Sequence, residues 1–234
     1  DEARLEKKLN SEFTNINLSI LLCLNHLCNS IIYFRIYVLA TWSNIKMKNY
    51  TFIHIPKTGG SSLSEIFKEY PHITTTEHIH GIKQKPEGFT FAISRNPYNR
   101  TLSAYNYLST GGDQSPNDMA YKNNLFPYMS DNIKDFHFFI ENMLENLSYR
   151  QVHLLPMTSF ISSGTNVLID IYFKLEELND NWERIKDMIK VNTNPIKINT
   201  SKKIKNKEEW LTPKIKNKIY QIYKTDFINF EYEK

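Results

Sequence analysis

The chain has 234 residues, enough for one sizeable domain plus an extension, and its 41% apolar and 13% aromatic content supports a packed core and excludes global disorder. A formal net charge of +4 is too small to point to nucleic acid as a partner. The two cysteines, Cys23 and Cys28, both lie near the N-terminus, so the rest of the chain holds neither a disulfide framework nor a cysteine-based zinc site.

Residues 1–46 read as an N-terminal extension, either non-native or a signal anchor. The sequence opens on Asp1, and Met47 stands directly ahead of the first strong strand. Translation from Met47 gives a cytoplasmic protein of residues 47–234. Leu18–Ala40 is long enough to span a bilayer, yet it carries Asn25, His26, Asn29 and Arg35, which are costly there. As a true anchor it would make the chain a single-pass membrane protein of Golgi type, and a membrane is expected as a partner only in that case. A sequon at Asn99 falls inside the second motif below, where a glycan would block it. This speaks against a secretory route.

Thr51–Ile55 is β-branched and apolar and reads as a short buried strand. It runs into Pro56-Lys57-Thr58-Gly59-Gly60-Ser61-Ser62. Leu63, Ile66, Phe67 and Tyr70 then mark one face of a helix. Phe89–Ser94 is a second buried strand. Asn96-Pro97 reads as an N-cap followed by proline at the first helical position, with Leu102, Tyr105 and Leu108 as the inner stripe. Residues 110–118 form a loop. Ile133, Phe136, Ile140, Leu144 and Leu147 mark one amphipathic helix. Val167–Phe173 is a third strand, and Leu178, Trp182, Ile185 and Ile189 mark the helix after it. Thr212-Pro213 caps a last helix carrying Ile215, Ile219 and Ile222. Strands that alternate with helices predict a parallel sheet.

The loop after the first strand carries the most chemistry. Adjacent glycines let backbone amides approach an anion, and the following helix points its free N–H groups and positive dipole end at the same place. Thr58, Ser61 and Ser62 add hydroxyl donors and Lys57 a full charge. Together they describe a cradle for a phosphate or sulfate. It differs from the nucleotide-triphosphate loop, G-x-x-x-x-G-K-S/T, because Lys57 precedes Gly59 and Gly60. In the second motif, Ser94 to Tyr105, an arginine at a strand end and a serine in the first turns of the next helix can converge on one phosphate. Arg100 and Ser103 are three residues apart and share a helix face. Between the motifs lies Thr76-Glu77-His78-Ile79-His80-Gly81, whose histidines suit proton removal near neutral pH. A loop histidine pair without chemistry, or a metal pair, are the competing readings.

His54–Ser62 resembles the 5'-phosphosulfate loop of the membrane-type carbohydrate sulfotransferases, a family that includes the heparan sulfate 2-O- and 6-O-sulfotransferases and bacterial and viral relatives. Arg95-Asn96-Pro97-Tyr98-Asn99-Arg100-Thr101-Leu102-Ser103-Ala104-Tyr105 is similar to that family's 3'-phosphate motif. The resemblance covers roughly residues 50–232, with weaker motifs after residue 110. In His153-Leu154-Leu155-Pro156-Met157, methionine stands where the family usually has glutamine. The end Asp226, Phe227, Phe230 and Tyr232 is similar to the family's last helix.

The resemblance implies an α/β fold, a P-loop-like three-layer arrangement with a central parallel sheet flanked by helices. It implies transfer of a sulfuryl group from 3'-phosphoadenosine 5'-phosphosulfate (PAPS) to a hydroxyl of a glycan or small molecule, leaving 3',5'-adenosine bisphosphate and needing no metal. Carried over, Thr58, Gly59, Gly60, Ser61 and Ser62 hold the 5'-phosphate, and Lys57 stabilises the leaving group at the bridging oxygen. Arg95 and Ser103 bind the 3'-phosphate with Arg100 as helper. His80 is the base, with His78 as alternate or acceptor contact and Glu77 as second choice. Lys202 and Lys203, in a late Asn-x-Ser-Lys loop, either contact PAPS or an acidic acceptor or are solvated lysines of a Lys-rich composition. Tyr105, Tyr107, Tyr121, Phe126 and Tyr128 either form an aromatic sugar platform or pack the core. Two other classes of function stay open: a nucleotide-dependent kinase, and a non-catalytic module that binds phosphonucleotides or sulfated glycans.

Overall fold

Five residues that begin just after Met47 set the frame. The computed structural model describes residues 49–77, 79–112, 130, 132–193 and 207–234, with 114, 116, 119, 122 and 123, all within the unit Met47–Lys234. In chain order these form β1 (Tyr50–His54), α1 (Gly60–Phe67), β2 (Ile73–Glu77), β3 (Phe89–Ser94), α2 (Pro97–Thr110), α3 (Ile133–Asn142) and α4 (Leu144–Leu147). Then follow α5 (Thr158–Ile161), the short strands β4 (Ser162–Ser163) and β5 (Asn166–Val167), β6 (Ile171–Lys174), α6 (Trp182–Ile189), α7 (Lys207–Trp210) and α8 (Pro213–Asn229).

The main sheet has four parallel strands in the order β2-β1-β3-β6. Its middle strands, β1 and β3, are buried at every position, as a sheet covered on both faces requires. On one face Phe52, Phe91 and Phe67 of α1 pack with ring centroids 5.2–5.7 Å apart. On the other, Ile53, Ile55 and Ala92 pack against Leu155, Met157, Phe160, Ile161 and Phe230. Helices α2, α3, α4 and α8 share a further core around Tyr105, Phe136, Phe139 and Ile219. The three-layer α/β arrangement expected from the sequence is therefore present.

The predicted caps form. Asn96 accepts hydrogen bonds from Tyr98 N and Asn99 N (3.0 and 3.4 Å), and Thr212 accepts one from Ile215 N (3.4 Å), with proline first in both helices. Three features differ from the sequence reading. Strand β2 was not expected: Thr74, Thr75 and Thr76 lack an apolar alternation, yet their β-branched side chains suit an edge strand. The run Val167–Phe173 is two strands, because β5 pairs with β4 and Asp170 intervenes. Its carboxylate accepts from Thr90 N (2.8 Å) and Thr90 Oγ1 (2.9 Å) at the start of β3. The helix expected over 133–147 breaks at Met143, whose φ of −121° leaves the α region.

Candidate active site

The parallel register brings three chain reversals to one edge. His54 is level with Glu77, and Ser94 with Lys174, so the segments after β1, β3 and β6 all leave the sheet at its carboxyl-terminal side. This is where open parallel sheets place their ligand crevices.

The loop after β1 is wound tightly. Lys57 and Gly59 both lie in the left-handed region, at φ 68° and 85°. Thr58 is fully buried, and its hydroxyl donates to Ile55 O (2.8 Å), closing the turn from within. Its side chain therefore holds the loop's own shape. Gly60 begins α1 directly beneath the buried ring of His54, where a Cβ would lie 2.1 Å from the ring. Glycine is required there by contact, while at Gly59 it suits the backbone angle. The first turn of α1 has no acidic residue of its own and Gly59 offers no capping side chain, so the helix does not offset its own dipole there. Ser61 is exposed and Ser62 half-buried on that turn.

Arg95 follows β3 immediately. Its Nη1 donates to the carbonyl of Lys57 at 3.1 Å, so the loop after β1 and the segment after β3 meet at one edge of the sheet. Burial lowers the Arg95 pKa, opposed by the nearby carboxylate of Glu176. Glu176 accepts from Asn96 N (2.9 Å) and Tyr232 Oη (3.0 Å), tying the end of β6 and the C-terminus to the same turn.

Arg100 behaves differently. It is 3% exposed, and its Nε and Nη1 donate to Pro56 O and Leu155 O, both at 2.9 Å. It holds the loop from beneath. Ser103 is buried one turn further along α2. His80 is exposed on the segment after β2. Its ring lies edge-on to Phe160 at 6.0 Å, and Gly81 N donates to Ser159 O (2.9 Å), which anchors this segment on α5. His78, Lys202, Lys203 and the side chain of Glu77 lie outside the described residues, as do Tyr121, Phe126, Tyr128 and all of residues 1–46. Tyr105 is a core residue whose hydroxyl donates to Ser130 O. Among the described residues no three His, Cys, Asp or Glu side chains gather as a metal-holding group.

The sequence pattern of the family described as "Sulfotransferase family" matches residues 46–233. The chain belongs to the sulfotransferase family. Comparison with curated proteins and with solved structures finds no match.

Three further groups brace this candidate site in roles not read from the sequence. Asp226 on α8 is fully buried and accepts from Met157 N (2.7 Å), Thr158 N (2.8 Å) and Thr158 Oγ1 (2.8 Å). Tyr223 on the same helix donates to Leu154 O (2.6 Å). Burial raises the pKa of Asp226 and lowers that of Arg100, each opposed by the charge of the other. Burial likewise pushes the Tyr223 hydroxyl upward. The third group is Tyr107, whose ring centroid lies 3.8 Å from Lys57 Nζ. A signal for it was present: Arg100, Ser103 and Tyr107 stand at i, i+3 and i+7, on one face of α2.

Proposed function

We propose that this sulfotransferase carries the sulfuryl group of PAPS to a hydroxyl of a glycan or other small acceptor. The hydrogen bond from Arg95 to the Lys57 carbonyl carries this reading, because one nucleotide with phosphates at both ends needs two cationic sites at one sheet edge. The donor supplies an activated sulfuryl group on a 5'-phosphate. The amides of Gly59 to Ser62 and the Lys57 ammonium stabilise the electron pair left on that phosphate oxygen when its S–O bond breaks. His80 accepts the hydroxyl proton as the acceptor oxygen bonds to sulfur. Arg95 and Ser103 hold the 3'-phosphate. Positioning and fixed electrostatics supply most of the rate in such a transfer.

The test uses PAPS labelled in its sulfur, offered with glycans, small phenols and tyrosyl peptides. Label is expected on a glycan or small hydroxyl compound, and Lys57→Ala and Arg95→Ala are each expected to lower kcat/KM by about 10²–10³-fold. Full activity in both variants would refute the assignment. Binding of 3',5'-adenosine bisphosphate without transfer to any acceptor would favour a binding module instead.

A further inference from the structure

The Lys57 ammonium has a second anchor besides its backbone. Its main-chain carbonyl is held by Arg95, and its Nζ rests 3.8 Å from the centre of the Tyr107 ring, within the range of a cation–π contact. The Tyr107 ring is backed in turn by His153, with centroids 4.8 Å apart and planes inclined by 36°. His153 is itself oriented by Gln151, which is 2% exposed. Gln151 Oε1 accepts from His153 N (2.6 Å), and its amide nitrogen lies 3.4 Å from Nδ1. A lysine stem has four rotatable bonds, so a point charge on it is placed only if something receives it. An aromatic face is one such receiver.

We propose that Tyr107, backed by His153 and Gln151, is a positioning residue for the Lys57 ammonium, orienting it towards the departing oxygen. This rests on the role given to Lys57 under the proposed function. The helix geometry favours it independently. The face of α2 that sends Arg100 to the Pro56 carbonyl carries Tyr107 two turns later, so one rigid element fixes both the backbone and the side-chain charge of the loop.

The experiment reads placement and catalysis separately. Lysines are ¹³C-methylated reductively, and the Lys57 signal is identified by its loss in Lys57→Arg. In the wild-type chain that signal is expected upfield of the other lysines, from the ring current of Tyr107. Tyr107→Leu should return it to the common position, Tyr107→Phe should restore the shift, and His153→Ala should reduce it partly. In transfer assays Tyr107→Leu should lower kcat about tenfold with the KM for PAPS little changed, and Tyr107→Phe should recover most of the loss. A wild-type signal at the common position, or one that Tyr107→Leu leaves upfield, overturns the proposal. So does an equal loss of kcat in the Phe and Leu variants. If the wild-type chain transfers no sulfuryl group, the proposed function fails, while the methyl signal still decides the placement of Lys57.

Discussion

Lys57 holds its charge on a backbone that L residues adopt at a cost. At φ 68° its Cβ crowds the following carbonyl, a strain of about 1–2 kcal/mol that glycine does not incur. The hydrogen bond from Arg95 to the Lys57 carbonyl and the burial of Thr58 keep the residue there. Strain kept at a non-glycine position beside an anion cradle fits a side chain retained for its chemistry. The consequence is measurable without substrate. Lys57→Ala and Lys57→Gly remove the same charge, but only glycine relieves the strain, partly offset by its greater freedom when unfolded. The Gly variant is expected to be more stable than the Ala variant by about 0.5–1 kcal/mol in urea denaturation, with transfer lowered to a similar extent in both. Equal stability, or a more stable Ala variant, would mean that the left-handed backbone is not strained. The left-handed turn was half visible in the sequence. Gly59 announced itself, whereas nothing in Pro56-Lys57-Thr58 says that the lysine adopts the same conformation.

Among the elements, α3 shows how local polar residues fix a helix start. Asn132 accepts from Asp135 N (2.9 Å), while Asp135 accepts from Ser130 N (2.9 Å), Ser130 Oγ (2.8 Å) and Asn132 Nδ2 (2.8 Å). The backbone hydrogen bond from Ser130 leads in depressing the Asp135 pKa. A carboxyl depressed on folding adds stability above its unfolded pKa and loses it as pH falls through the folded value. The stability difference between the wild-type chain and Asp135→Asn should therefore be largest near neutral pH and shrink below about pH 4. Denaturation midpoints measured across that range would show it, and a constant difference would rule out the carboxylate as the cause. Elements with their own signals were legible: buried β1 and β3, the Asn96-Pro97 and Thr212-Pro213 starts, and the apolar stripes of α2 and α8. Strand β2 was not, because Thr74 to Thr76 form an edge whose identity depends on pairing with β1. The break at Met143 was not legible either, since Leu144 and Leu147 continue the apolar spacing of α3 across it. Within the site, the two anion strings stood out as local motifs. Asp226 acts through a partner 69 positions away, which no local pattern encodes, whereas Tyr107 shows locally only as a member of the α2 face that carries Arg100 and Ser103.

At the scale of the whole molecule the loop after β1 is tied to the distant C-terminal helix through one buried cation. Tyr223 and Asp226 of α8 hold the backbone of residues 154, 157 and 158, and Arg100 bridges Leu155 O to Pro56 O. The loop after β1 thus inherits its shape from the helical layer as well as from the sheet. Arg100 is 3% exposed, so substitution by an apolar residue strands two carbonyls and leaves Asp226 buried without its nearby positive charge. Stranding buried polar groups costs about 1–3 kcal/mol each, and a buried carboxylate that loses a nearby positive charge adds to that. Arg100→Met is expected to lower stability by a few kcal/mol, and Arg100→Met with Asp226→Asn to regain the part that comes from the Asp226 charge. Urea denaturation of the two single variants and the double variant closes the cycle. The loop effect has its own reading: calorimetric binding of 3',5'-adenosine bisphosphate to Arg100→Met should weaken even at temperatures where the variant is fully folded, because Pro56 has lost its tether. A folded Arg100→Met variant that binds the nucleotide as the wild-type chain does would show that the loop keeps its shape without α8 and that the two are not coupled.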